Sequence, residues 1–175
     1  MRLALIAACL TTPALADPLI TTLSADLTGD GAPEQMFVIR GDDASAHLLI
    51  SQGDGGYVYT GKIAFAGGIG QEPELELAKN GSLKLISMNE SIGRHRWRET
   101  LTIAWRYDVF VVAGYTYRWY DTLSLEHGLC DVNLLTGQAE RTENDGPTET
   151  TQLAPRALPV WEWGEHAVPE FCAMG

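Results

Sequence analysis

The chain has 175 residues, 45% of them apolar, and 23 acidic against 12 basic side chains give a formal charge of −11. That length suits one domain with a sizeable core and leaves little room for two. So acidic a surface repels nucleic acid and anionic lipid and favours cations or basic partners.

The first sixteen residues, MRLALIAACLTTPALA, set Arg2 ahead of an apolar run from Leu3 to Leu10 and end in Ala14-Leu15-Ala16. This is the layout of a secretory signal cut before Asp17. The competing reading takes Ile6-Ala7-Ala8-Cys9 as a lipoprotein box acylated at Cys9, but only eight residues would then precede the cysteine, too few for a charged start and an apolar region of about 7–15 residues. No later segment reaches the ~20 apolar residues that span a bilayer. The expected product is one periplasmic or secreted domain over residues 17–175, with a charge of −12 once Arg2 is lost.

Beyond the signal, helical periodicity is almost absent. Short segments alternate apolar and polar residues between clusters of glycine, asparagine and aspartate, which predicts an all-β chain. The alternation predicts strands at Leu19 to Ser24, Glu34 to Arg40, Ala46 to Ser51, Tyr57 to Phe65, Glu74 to Ala78, Leu83 to Asn89, His95 to Tyr107, Val109 to Tyr120 and Val132 to Leu135. An antiparallel meander follows, as propeller-blade-like or sandwich sheets.

Between the first two strands lies DLTGDGAPEQ, Asp26 to Gln35. Asp26, Thr28, Asp30, the Ala32 carbonyl and Glu34 fall at alternate positions, as a short calcium loop requires. It is not an EF-hand, because Phe37 occupies the twelfth position and no helices flank it. The pattern resembles the calcium loop of FG-GAP or VCBS-type repeats, which join strands of β-propeller blades in extracellular or cell-surface binding scaffolds. Thr28 stands where that family has aspartate or asparagine, and Glu34 where it has aspartate. The resemblance implies weak calcium binding, at the ~10⁻⁴–10⁻³ M level of extracellular modules. The alternative is an Asp-Gly turn whose carboxylates bond backbone amides. One repeat does not make a propeller.

The clearest strand pair runs from Arg96 to Trp119. Trp97, Leu101, Ile103, Trp105 and Tyr107 share one face, with Arg96, Arg98, Thr100, Thr102 and Arg106 on the other. Val109, Val111, Ala113, Tyr115, Tyr117 and Trp119 are expected to line one face of the partner, across a tight turn near Asp108. The stretch RHRWRETLTIAWRYDVFVVAGYTYRWYDT, followed by CDVNLLTGQ, resembles the C-terminal half of a group of secreted bacterial proteins of unassigned role. That resemblance implies fold and compartment and names no activity.

Arg94, Arg96 and Arg98 offer an anion-binding stripe on an acidic chain, since guanidinium forks receive carboxylate or phosphate. They also read as a solvent-facing strand paired with nearby carboxylates. His127, Cys130 and Asp131 in EHGLCD lack the further ligands a metal site needs. Cys130 and Cys172, the two cysteines left after signal removal, are expected to pair in an oxidising compartment. Their bridge would hold residues 144–175, where Pro147, Pro155, Pro159 and Pro169 interrupt pairing but Trp161, Trp163 and Phe171 need burial, as a strap docked on the sheet. The expected role is a non-enzymatic β-domain that binds a protein or small ligand. The alternative is a hydrolase whose acids, any pair among Glu90, Glu99, Asp121 and Glu126, converge in a pocket.

Overall fold

A computed structural model describes residues 18–52, 55–68 and 70–173. The expected signal segment and its cleavage site lie outside the described residues.

The fold is all-β and antiparallel. The smaller sheet takes β1 (Leu19–Ala25), β2 (Glu34–Arg40), β3 (Ser45–Ser51) and β4 (Tyr57–Tyr59) in sequence order, with β5 (Ala64–Phe65) also on β3. The larger sheet is a second meander, from β6 (Glu74–Leu77) through β7 (Leu83–Asn89), β8 (His95–Arg106), β9 (Val109–Asp121), β10 (His127–Asn133) and β11 (Gln138–Glu143) to β12 (Glu149–Gln152). A short β13 (Leu158–Pro159) returns to pair with β9. Within β1–β4 and within β6–β12 each strand lies beside its predecessor because short polar turns join them, the arrangement that sequence-local hairpins favour.

The two sheets share one core. Met36, Val38, Leu48 and Ile50 from the smaller sheet meet Leu83, Leu85, Leu101, Ile103, Val132 and Val160 from the larger sheet and the strap. Burial of these apolar faces, at roughly 25 cal/mol per Å², is the main stabilising term. Among the described residues no helix is long and apolar enough to cross a membrane.

The β8–β9 hairpin turns through Tyr107 and Asp108, both at positive φ (53° and 60°), as a two-residue turn matched to strand twist requires. Its faces differ from the expected ones. The register passes from Thr102↔Gly114 to Ile103↔Val112, so Ala113 is an extra residue on β9. This bulge reverses the alternation beyond it. Phe110 and Val112 therefore enter the main core, while Val111 and Ala113 pack with Ala104, Val109, Leu135 and Ala157 in a second cluster on the outer face.

Three further expectations are corrected. Residues 57–65 do not make one strand but two, β4 and β5, each paired with β3. The segment expected over Val132 to Leu135 is instead the end of β10: Asn133 accepts the Leu135 and Thr136 amides at 3.0 and 3.1 Å and turns the chain into β11. The sheet also runs on past Asn144, through β12, so the strap starts at Leu153. β11 and β12 bury little beyond Ala139, and such polar edge strands give a weak periodic signal. Cys130 and Cys172 form the expected disulfide, with Cα atoms 5.5 Å apart, and it ties three 3₁₀ turns (Val160–Glu162, Glu165–Ala167 and Glu170–Cys172) to β10.

Candidate functional site

The acidic loop folds onto itself. Asp26 accepts the Gly29 amide at 2.7 Å and the Gly31 amide at 2.9 Å, and Asp30 accepts the Ala32 amide at 2.7 Å. Gly29 and Gly31 allow this because both sit at positive φ (80° and 88°), where a side chain is strained. Glu34 opens β2 with its side chain inward, only 3% exposed. It accepts the Leu27 amide at 2.7 Å, the Thr28 amide at 3.3 Å and the Thr28 hydroxyl at 3.1 Å. Amides and one hydroxyl therefore occupy the carboxylates proposed as calcium ligands. Among the described residues no group of three His, Cys, Asp or Glu side chains is placed to hold a metal ion.

The arginine stripe divides. Arg94 precedes β8 and its Nε meets the Asp121 carboxylate at 2.8 Å. The amides of Ser124 and Leu123, with help from Arg94, hold the Asp121 carboxyl below the usual range. Arg96 and Arg98 stay together on the outward face of β8, and Arg98 bonds Glu74 at 2.8 Å. Arg106 lies at the far end of the strand and donates to the Trp105 carbonyl. His127 faces Asp145 at 3.9 Å, and Cys130 is in the disulfide, so the His-x-x-Cys spacing forms no reactive pair.

Glu99 was legible only as one acid among four. It lies between Trp97 and Leu101 on β8, in the register of the core-facing residues, opposite Tyr117 on β9. Burial raises its pKa, partly offset by a hydrogen bond from the Tyr115 phenol. Tyr117 beside it is pushed up to about 12 by burial and by the Glu99 charge. Aromatic rings surround the carboxyl: Trp97 stacks on Tyr117 at 6.2 Å and meets Phe65 edge-on at 5.4 Å, and Tyr115 packs against Trp163 of the strap at 6.0 Å. The available signal was a carboxylate in an apolar register, which a strand can tolerate only beside polar partners or a cavity.

A cavity is present. Glu99, Ser45, Ala64, Phe65, Trp163 and Val168 line a space of about 310 Å³, with the exposed Asp43, Lys62 and Glu165 also contributing. Lys62 bonds Asp43 at 3.3 Å. Three parts of the chain thus build it: the β2–β3 turn and β5 of the smaller sheet, β8 of the larger, and the strap. A larger cleft of about 420 Å³ lies where β1 meets β6, lined by Glu72, Glu74 and Glu76. Arg40 and Arg98 hold two of those acids, whereas the other cavity is lined by Glu99, whose pKa burial raises, so the Glu99 cavity is the better candidate. Glu90, Asp121 and Glu126 do not line that cavity. No family model, curated protein or solved structure matches the chain.

Proposed function

We propose that this is a non-enzymatic binding domain of an exported protein, which takes a small, partly apolar ligand in the cavity above Glu99. The observation that carries the reading is a carboxyl of raised pKa at an aromatic-lined space between the sheets and the strap. Such a carboxyl takes up a proton more readily than an exposed one and then donates to an acceptor on the ligand, while Phe65 and Trp163 cover apolar surface. The signal-like first sixteen residues support export. The likeness of loop 26–34 to FG-GAP or VCBS-type repeats supports a binding scaffold, with calcium as the cation that loop would take.

A hydrolase is the second reading, because a carboxyl raised by burial is the kind of group that serves as a general acid. Asp43 and Glu165 line the same cavity and could supply the second acid. The test is capture from a cell extract by the wild-type domain and by Glu99→Leu, with mass spectrometry of the released small molecules. Binding predicts a compound retained by the wild type and lost from the folded variant. Equal retention by both removes the cavity from the function, and turnover of the captured compound by the wild type alone would establish the hydrolase.

A further inference from the structure

On the outward face of the larger sheet, away from the Glu99 cavity, β8 and β9 bring together three guanidinium groups. Arg98 stands directly opposite Arg118, and Arg96 stands opposite Tyr120 one step along the same face. Directly opposed side chains have Cβ atoms only about 4.5–5.5 Å apart, and like charges in that position repel. In so acidic a chain the ordinary solution is a carboxylate for each cation. Arg40 and Arg94 each have one, and Arg141 has two. Among the described residues, Arg96 and Arg118 have none, and Arg98 has only Glu74.

The donors are also unfilled. Arg96 Nη1 and Arg98 Nε are buried without a hydrogen-bond partner, the costly state for a charged donor. Their stems lie over buried apolar surface: Met88 on β7 faces Arg98 directly and is 7% exposed, although it belongs to neither core cluster. That packing holds the side chains against the sheet, so the guanidinium heads are less free to seek water. Four other charges share the face: Lys84 on β7 stands opposite Glu76 on β6, and Asp131 on β10 stands opposite Glu140 on β11. Asp131 accepts the Thr116 hydroxyl at 2.6 Å. None of Glu76, Asp131 and Glu140 pairs with the three guanidinium groups, so Glu74 is the one carboxylate bound among them, and Arg96 and Arg118 stay without one among the described residues.

We propose that Arg96, Arg98 and Arg118 form a receptor for phosphate, either the free ion or a phosphate monoester. A phosphate monoester carries about −1.5 to −2 at neutral pH and presents three strong acceptor oxygens, which suits three forks of which two have no carboxylate bound. A planar carboxylate offers two oxygens and one charge, and Glu74 already fills that place on Arg98. The phosphate bridges Arg98 and Arg118 across the strand pair, with the Arg96 fork turning toward it from the same face, and so removes the repulsion between the opposed arginines.

The test is a titration of the whole exported domain with inorganic phosphate, glycerol 1-phosphate and acetate at constant ionic strength, followed by calorimetry and by melting temperature. Phosphate is expected to raise the melting temperature where acetate does not, because it binds the folded state alone. Arg118→Gln, an exposed substitution on a folded strand, is expected to weaken phosphate binding by about tenfold or more, the scale of one charge-assisted bond. Arg106→Gln, at the other end of β8, is expected to leave it unchanged. Tighter binding of glycerol 1-phosphate would assign the site to an ester, and equal binding to free phosphate. No rise beyond that in acetate, or a rise that survives Arg118→Gln, overturns the proposal.

Discussion

Replacing Glu34 tests whether loop 26–34 is held by its own amides. The carboxylate is 3% exposed and accepts three bonds, one short at 2.7 Å and two longer at 3.1 and 3.3 Å. Bonds to a charged acceptor contribute about 1.5–3 kcal/mol each. The two long ones sit at or below that range, and deleting the carboxylate also removes its own desolvation cost. Glu34→Ala is therefore expected to cost about 3 kcal/mol, which lowers the melting temperature by roughly 6–12 °C in a domain of this size. Glu34→Gln keeps one oxygen for the Leu27 and Thr28 amides, and its NH₂ can donate to the Thr28 hydroxyl, so it should cost only about 1 kcal/mol. Urea denaturation with a common m-value would give both figures. Equal costs for the two variants, or an alanine cost below about 1 kcal/mol, would refute the amide-held loop. The same samples address the cation. If the amides hold the carboxylates, millimolar calcium leaves the wild type and Asp30→Ala unmoved, whereas a rise in the wild type that Asp30→Ala abolishes would show that calcium displaces them.

Other expectations follow from the same structure. Burial raises the Glu99 pKa, so the folded protein keeps a proton that the unfolded chain has released. Its contribution is present below the unfolded pKa and lost as pH rises through the folded one, at up to about 1.4 kcal/mol per pH unit. Glu99→Gln should remove that loss in denaturation midpoints taken from acid to neutral pH. Asp121 has the opposite sign: amides and Arg94 lower its pKa, so stability falls as pH drops through the folded value, and Asp121→Asn should lack that fall. Breaking the bridge between Cys130 and Cys172, 42 residues apart, should cost about 4 kcal/mol by loop entropy. Hydrogen exchange at residues 160–173 should rise with it, and unchanged exchange would show that the strap docks without the disulfide. N-terminal sequencing of exported protein should begin at Asp17, and acylation at Cys9 would defeat that expectation.

By itself the sequence determined the class of fold, its antiparallel meander and the disulfide. Alternation with period two, broken by glycine and asparagine turns, is a local property, and short turns leave each strand few places to pair except beside its neighbour. β2 and β7 match their expected spans, Glu34–Arg40 and Leu83–Asn89, because each carries buried residues bounded by turn chemistry. The disulfide was legible because two cysteines outside the expected signal segment leave one pairing. What only the tertiary structure decided depends on partners far along the chain. The bulge at Ala113 exchanged the faces of Val111 and Val112, a change that no period in β9 announces because it is set by the register against β8. β11 and β12 lack an apolar stripe and form because β10 offers them an unpaired edge. Glu99 acquires its raised pKa from burial, at a cavity that β5 and the strap, both remote in sequence, help to line. Arg94 and Arg118 exchange roles for the same reason: one finds Asp121 across the hairpin, and the other finds only Arg98. A local pattern states which side chains share a strand face, whereas burial, pairing and charge balance are properties of what the folded chain sets opposite them.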